Sequence, residues 1–331
     1  LRSAPAPVEI TQDAQAPMVV IDFPEDGAEL TNESIQVAGR ISDVLSGFLG
    51  LEVQVNGGAA EVFPGVGTNG SFERQAVPLA LGTNVITATG TDAAGNNRTA
   101  TVTVTRVALA GPGLTIISGN DQSGAIRSEL AEPIVVKISN EDGSPFANKN
   151  VNFHVTRSDG RLASTSGADA GAMRLQTRTD SEGLATAYWT LGTDAGQGNN
   201  RVSVTSEDIA GTTYFCASAL AGPPAQINIM MGNDQRAETG APAPERLVAW
   251  VSDGGNAVGG VPVTFRVVSG DGGFEPDGNP EITIDSDITG NARTYFTAGE
   301  TPGKNIVEAD FEGNPGLPAT FTVEGVQRSM D

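Results

Sequence analysis

Outside its carboxylates, this chain holds few residues able to do acid, base or nucleophilic chemistry. His154 is the single histidine, set between Phe153 and Val155. Alternation along a strand puts it on the face opposite those two, and its counterpart in the repeat described below is Arg266, so it reads as a solvated strand position. One imidazole excludes a histidine-rich zinc site and leaves a Ser-His-Asp triad a single base to draw on. Cys216 is the single cysteine, so neither an intramolecular disulfide nor a cysteine-based zinc site can form. It is predicted to face away from Phe215 and Ala217, half-covered at a domain interface or under a loop; the alternative is a thiol open to intermolecular contact. Gly65-Val66-Gly67-Thr68-Asn69-Gly70 fits a dinucleotide-binding spacing, but Ser71-Phe72-Glu73 continues it as a strand where that site needs a helix N-terminus. No Gly-x-Ser-x-Gly or His-Glu-x-x-His is present. No catalytic or cofactor-binding residue is assigned.

Calcium is the one ion the residue types suit, because carboxylates and carbonyls in Asp/Asn/Gly turns are its natural ligands. The candidates are Asp92, Asn96, Asp121, Asp180, Asp234 and Asp287, with Asp271 and Asp277 in the loop from Gly270 to Pro280. Such residues also hydrogen-bond their own turn backbone, and no EF-hand-like spacing occurs, so the turn reading stands beside the metal one. The glycosylation sequons at Asn32, Asn69 and Asn97 have chance as their default explanation in a chain this rich in Asn, Ser and Thr.

The elements that would position these residues are strands. At 331 residues, with 42 Gly and 19 Pro, the chain suits several thin two-sheet cores better than one helical core. Leu51, Val53 and Val55 alternate with Glu52 and Gln54 before an Asn56-Gly57 hairpin turn, and turn signals recur at roughly 8–12-residue spacing. The net charge of −21 repels phosphate backbones and anionic lipid, so nucleic acid is not an expected partner. No apolar run is long enough to insert in a membrane. Leu1 is not an initiator methionine, and the chain reads as processed or cut from something longer.

Two segments are copies of each other. Ala110-Gly111-Pro112 recurs as Ala221-Gly222-Pro223, and Gly119-Asn120-Asp121-Gln122 as Gly232-Asn233-Asp234-Gln235. Val151, Phe153 and Val155 match Val263, Phe265 and Val267; Asp180 to Gly183 matches Asp287 to Gly290; Phe215 and Ala217 match Phe321 and Val323. Positions apolar in both copies define the expected cores: Ile134, Val136, Ile138, Phe153, Trp189 and Phe215 in one, Leu247, Val251, Phe265, Val267, Phe296 and Phe321 in the other.

The run Ser118 to Gly124, the strand Pro133 to Ile138, Asn140-Glu141-Asp142-Gly143, Val151 to Val155, and Thr179 to Ala185 leading to Trp189 resemble the bacterial immunoglobulin-like repeats of the invasin/intimin group, over about residues 113–326. Gly82-Thr83-Asn84-Val85-Ile86 through Asp92-Ala93-Ala94-Gly95-Asn96 resembles a different bacterial Ig-like module, over about 18–107, of a kind often appended to secreted glycosidases. The expected fold class is all-β, three tandem immunoglobulin-like β-sandwich domains at 18–108, 109–222 and 223–331, after an N-terminal linker or donor strand at 1–17. These resemblances imply a non-enzymatic spacer, fibre subunit or adhesin segment, extracellular or on a bacterial surface. Its partners would be neighbouring domains or subunits, or a cell-surface receptor or glycan. A carbohydrate- or protein-binding accessory module of a larger extracellular enzyme is the alternative. Val8 and Ile10 are the expected donor-strand contacts, with Cys216 a further intermolecular one. Net negative charge on every segment argues against one domain collapsing on another unless cations bridge them.

Overall fold

The structure is a computed structural model and describes residues 13–43, 46–63, 66–107, 112–168, 171–207 and 209–327. The proposed donor residues Val8 and Ile10 lie outside the described residues. The chain is built of β-strands, joined by turns and a single 3-10 turn at Thr68–Gly70 among the described residues. No helix there is long and apolar enough to cross a membrane.

Three immunoglobulin-like sandwiches follow one another. In the first, Met18–Phe23, Ser34–Ser42 and Ser71–Pro78 form a three-stranded sheet. Facing it is a five-stranded sheet ordered Glu29–Leu30, Asn97–Arg106, Gly82–Asp92, Phe48–Val55, Glu61–Phe63. The second sandwich has a four-stranded sheet containing Ile134–Ser139 and Leu184–Thr190. Its five-stranded sheet is ordered Gln122–Ala125, Thr213–Leu220, Gly196–Ser206, Asn150–Arg157, Arg174–Arg178. The third repeats that five-stranded order with Gln235–Glu238, Ala319–Val326, Gly303–Phe311, Pro262–Ser269 and Glu281–Asp285.

Period-two patterning makes these strands: Ile134, Val136 and Ile138 are buried while Val135, Lys137 and Ser139 are half-covered. Each expected core residue is buried in its sandwich, except Val267, which packs partly buried at the edge of its core. Trp189 and Phe265 are fully enclosed.

The repeated Gly-Asn-Asp-Gln run is a structural staple. Gly119 and Gly232 both have φ +86°, and a Cβ there would lie 2.2 Å from the Pro133 oxygen or 2.0 Å from that of Arg246. The turn lets the chain cross to the other sheet, where Gln122–Ala125 pairs parallel with Thr213–Leu220 and Gln235–Glu238 with Ala319–Val326. Gln122 Nε2 donates to the Gly119 and Glu132 oxygens, each at 2.8 Å, while its Oε1 accepts the Glu132 N–H at 2.9 Å. Gln235 makes the same three bonds to Gly232 and Glu245. Asn120 and Asn233 accept the N–H of Cys216 and Thr322, tying the turn to the last strand.

Candidate functional site

The first sandwich lies along the second, and it covers the joint between the second and third. Its three-stranded sheet packs on the outward face of Thr213–Leu220 and Gly196–Ser206. Phe23 meets Tyr214 edge-on, with ring centroids 5.1 Å apart, and the Arg201 guanidinium sits 3.7 Å from the Phe23 ring centre. Arg201 and Cys216 face each other across the strand pair and are 4% and 2% exposed. Burial lowers the Arg201 pKa, and two of its nitrogens, Nε and Nη2, have no acceptor. Asp22 at the rim accepts from Arg40 at 2.8 Å and forms an ion pair with Arg157 of the second sandwich at 3.2 Å.

Polar bonds close the seam further along. Ser218 Oγ donates to Glu73 Oε2 at 2.8 Å, and Gln36 donates to the other oxygen of Glu73. The Gln197 N–H donates to Ser71 Oγ at 2.6 Å. At the joint, Asn69 of the first sandwich and Asn256 of the third both lock onto the second. Asn69 Nδ2 donates to the Ala195 oxygen at 2.8 Å, and its Oδ1 accepts the Ala257 N–H at 2.6 Å. Asn256, 6% exposed, accepts the Ala195 N–H at 2.7 Å and donates to the Thr193 oxygen at 2.9 Å. Gly70 approaches so closely that a Cβ would lie 2.0 Å from the Ile41 oxygen, which explains a glycine at φ +69° there. Arg293 of the third sandwich donates to the Asp43 main-chain oxygen at 3.1 Å and also bonds Asp287.

This seam corrects the expectation that negative domains stay apart. Net charge counts the whole surface, whereas contact depends on the few groups that meet, and here arginines face Asp22 across apolar and aromatic surface. Cys216 lies at a domain interface, but enclosed by the first sandwich rather than half-covered, which leaves the alternative of an open intermolecular thiol without an exposed sulfur. Burial pushes its thiol up to about 12, with Arg201 pulling the other way, so it stays protonated at neutral pH.

The proposed calcium ligands fall in separate places. Asp180 Oδ1 accepts the N–H of Glu182 and Leu184, each at 2.9 Å, and Asp287 Oδ1 those of Thr289 and Asn291 at 2.8 and 3.1 Å. Both are caps of the same glycine turn. Asp121 and Asp234 accept from the preceding Asn120 and Asn233 side chains in the staple. Asp271 accepts the Thr301 hydroxyl at 2.9 Å, and Asp277 is exposed. Asp121 is unlike the others: Oδ1 is buried without a donor at the seam, and burial, then the nearby Glu73 charge, push its carboxyl up to about 6. His154 sits half-covered on the outer sheet face, its pKa lowered by burial and by Arg174 opposite.

Asp92 belongs to a group of three carboxylates. Oxygens of Asp13, Asp43 and Asp92 lie within 4.8 Å of one another. Burial pushes the enclosed Asp92 carboxyl up, but the side-chain and backbone N–H of Asn96, with those of Ala94 and Gly95, outweigh it and hold it below the usual range. Neither Asp13 nor Asp43 is marked out by spacing in the sequence.

The seam residues carried a signal in the repeat itself. Arg201, Tyr214 and Cys216 occupy strand positions that hold Ile306, Thr320 and Thr322 in the third sandwich. An outward face that differs between two copies, with aromatic and apolar groups in one, marks covered surface. Asn69 and Asn256 left no comparable mark.

The class of protein is therefore a tandem of immunoglobulin-like sandwich modules, one of a distinct kind followed by two repeats. Residues 17–107 match the family described as Glucodextranase, domain B. No curated protein matches the chain. Among solved structures it is similar to the Parabacteroides merdae β-glucuronidase, at 16% identity and a TM-score of 0.23, over 62% of this chain and 25% of that one. It is similar to invasin, a bacterial integrin-binding protein, at 15% identity and a TM-score of 0.34, over 95% and 60% of the two chains. It is also similar to the Escherichia coli adhesin FdeC, at 14% identity and a TM-score of 0.30, over 96% and 100%. The chain spans a quarter of the glucuronidase's length and 60% of invasin's. No activity or partner follows from likenesses of this strength.

Proposed function

We propose that the chain is a non-enzymatic structural or adhesive segment of a bacterial cell-surface or secreted protein. What supports this is the three-way lock at Asn69, Ala195 and Asn256, where buried polar groups are spent on holding sandwiches together. The second and third sandwiches meet through their end loops, and the first lies across that joint as a splint. Such a unit would resist bending better than sandwiches joined by a linker alone, which suits a spacer or a fibre subunit.

A second reading, an accessory module of a larger extracellular enzyme, is favoured by the family match over residues 17–107. Small-angle scattering from the purified chain, paired with a glycan array and a fluorogenic glycoside panel, tests both. The structural reading expects a maximum dimension near two sandwich lengths, no turnover and no sugar bound. Three lengths would overturn the splint, turnover would overturn the non-enzymatic assignment, and specific glycan binding would exclude a purely structural spacer.

A further inference from the structure

We propose that copies of this chain associate head to tail through two sheet edges. Arg174–Arg178 of the second sandwich in one copy pairs antiparallel with Glu281–Asp285 of the third sandwich in the next. Each strand ends its five-stranded sheet, bonded on one side to Asn150–Arg157 or to Pro262–Ser269, and no strand among the described residues pairs along the other side. The two edges are the same strand of the repeat. Leu175 lies opposite Phe153 as Ile282 lies opposite Phe265, which makes Arg174 equivalent to Glu281 and Arg178 to Asp285. The charge at both ends is inverted between the two repeats.

The main chains of the two edges match. The Val155 N–H donates to the Met173 oxygen at 2.8 Å and the Thr179 N–H to the Lys149 oxygen at 2.9 Å. Alternation then turns the N–H and C=O of Arg174, Gln176 and Arg178 toward the open side. Likewise the Val267 N–H donates to the Pro280 oxygen at 2.8 Å and the Ser286 N–H to the Val261 oxygen at 2.9 Å, which leaves the groups of Glu281, Thr283 and Asp285 facing out. Antiparallel pairing with Arg174 opposite Asp285 closes about six main-chain hydrogen bonds. In that register Leu175 and Thr177 meet Ile284 and Ile282 on the core side, where Leu175 and both isoleucines already pack. On the outer face, where all six side chains are exposed, Gln176 meets Thr283 and each arginine faces a carboxylate.

Charge also selects the partner edge. Two Arg174–Arg178 strands side by side set arginine against arginine, and two Glu281–Asp285 strands set carboxylate against carboxylate, and like charges directly opposite are destabilising. A two-fold dimer through either edge is therefore disfavoured. The unlike pair joins different patches, the kind of contact that grows into a filament or closes into a ring. The edges are short, 5 residues each, so assembly belongs to high protein concentration and low salt. This contact deepens the fibre-subunit reading and rests on it.

The test is sedimentation velocity of the full chain over rising concentration, at about 50 mM and about 500 mM salt. Growth beyond a dimer at low salt, dispersed at high salt, is expected. Arg174→Glu combined with Arg178→Glu should weaken association by roughly tenfold or more, and so should Glu281→Arg combined with Asp285→Arg. One variant then has two acidic edges and the other two basic ones, so mixing them should restore the association that neither achieves alone. Circular dichroism checks that both keep the fold. No association of the wild type, wild-type association in either variant, or a mixture that stays monomeric would overturn the pairing. Such a failure would leave the splinted spacer standing, because the maximum dimension of the single chain tests that separately.

Discussion

Arg201 is a cation placed where a hydrophobe would be ordinary. It is buried between the strands of the second sandwich and the Phe23 ring of the first, with the charge of Asp22 nearby. A desolvated guanidinium over an aromatic face contributes about 2 kcal/mol, but desolvation takes much of that back. Replacement should therefore depend on shape more than on charge. Arg201→Ala is expected to weaken the seam by about 2–4 kcal/mol, because it removes the stack and leaves a cavity. Arg201→Met keeps the bulk, discards the desolvation cost, and should fall within about 1 kcal/mol of wild type. Cys216 reports the difference: its labelling by a thiol reagent in rising urea should begin at lower concentration in the alanine variant and near the wild-type concentration in the methionine one. Equal shifts in the two would mean that the charge itself holds the seam.

The Gly-Asn-Asp-Gln staple explains why a short polar run is written twice. It joins the crossing turn to the far strand by a glutamine with three bonds and an asparagine with one to the closing strand. Gln235 is at the border of full burial, so truncating it strands the Glu245 N–H and two carbonyls. Gln235→Ala is expected to cost about 2–3 kcal/mol in the third sandwich, measured by chemical denaturation followed at the tryptophans. Gln122→Ala should cost less, because Gln122 is more exposed and water can replace its bonds. A reversed order would mean that the staple is not what stabilises the turn. This element was readable from the repeat as a pattern, but its chemistry was not: Asp121 and Asp234 looked like metal ligands because an Asp next to a glycine turn serves either purpose.

The seam is expected to respond to pH through Asp121. Its carboxyl is pushed up to about 6 at the seam, above an unfolded value near 3.9. A raised carboxyl contributes stability that is fully present below the unfolded value and is lost as pH rises through the folded one. The seam should therefore weaken between about pH 4 and pH 7, by about 1 kcal/mol once partial exposure is discounted. Asp121→Asn should abolish that slope and hold the seam more firmly at pH 8, checked by the urea concentration at which Cys216 becomes labelled. An unchanged slope in the variant would assign the titration elsewhere. Strand periodicity, the doubled pattern from Gly119 and the apolar positions common to both copies were enough to predict sandwiches and their cores, because alternation and burial are properties of neighbours along the chain. The seam, the lock at Asn69 and Asn256, and the meeting of Asp13 and Asp43 with Asp92 depend on groups far apart in sequence being carried to one place. Nothing local encodes that distance, and a net charge of −21 pointed the other way. Packing settled it, because a few arginines and rings at the point of contact outweigh a repulsion spread over the whole surface and screened by salt.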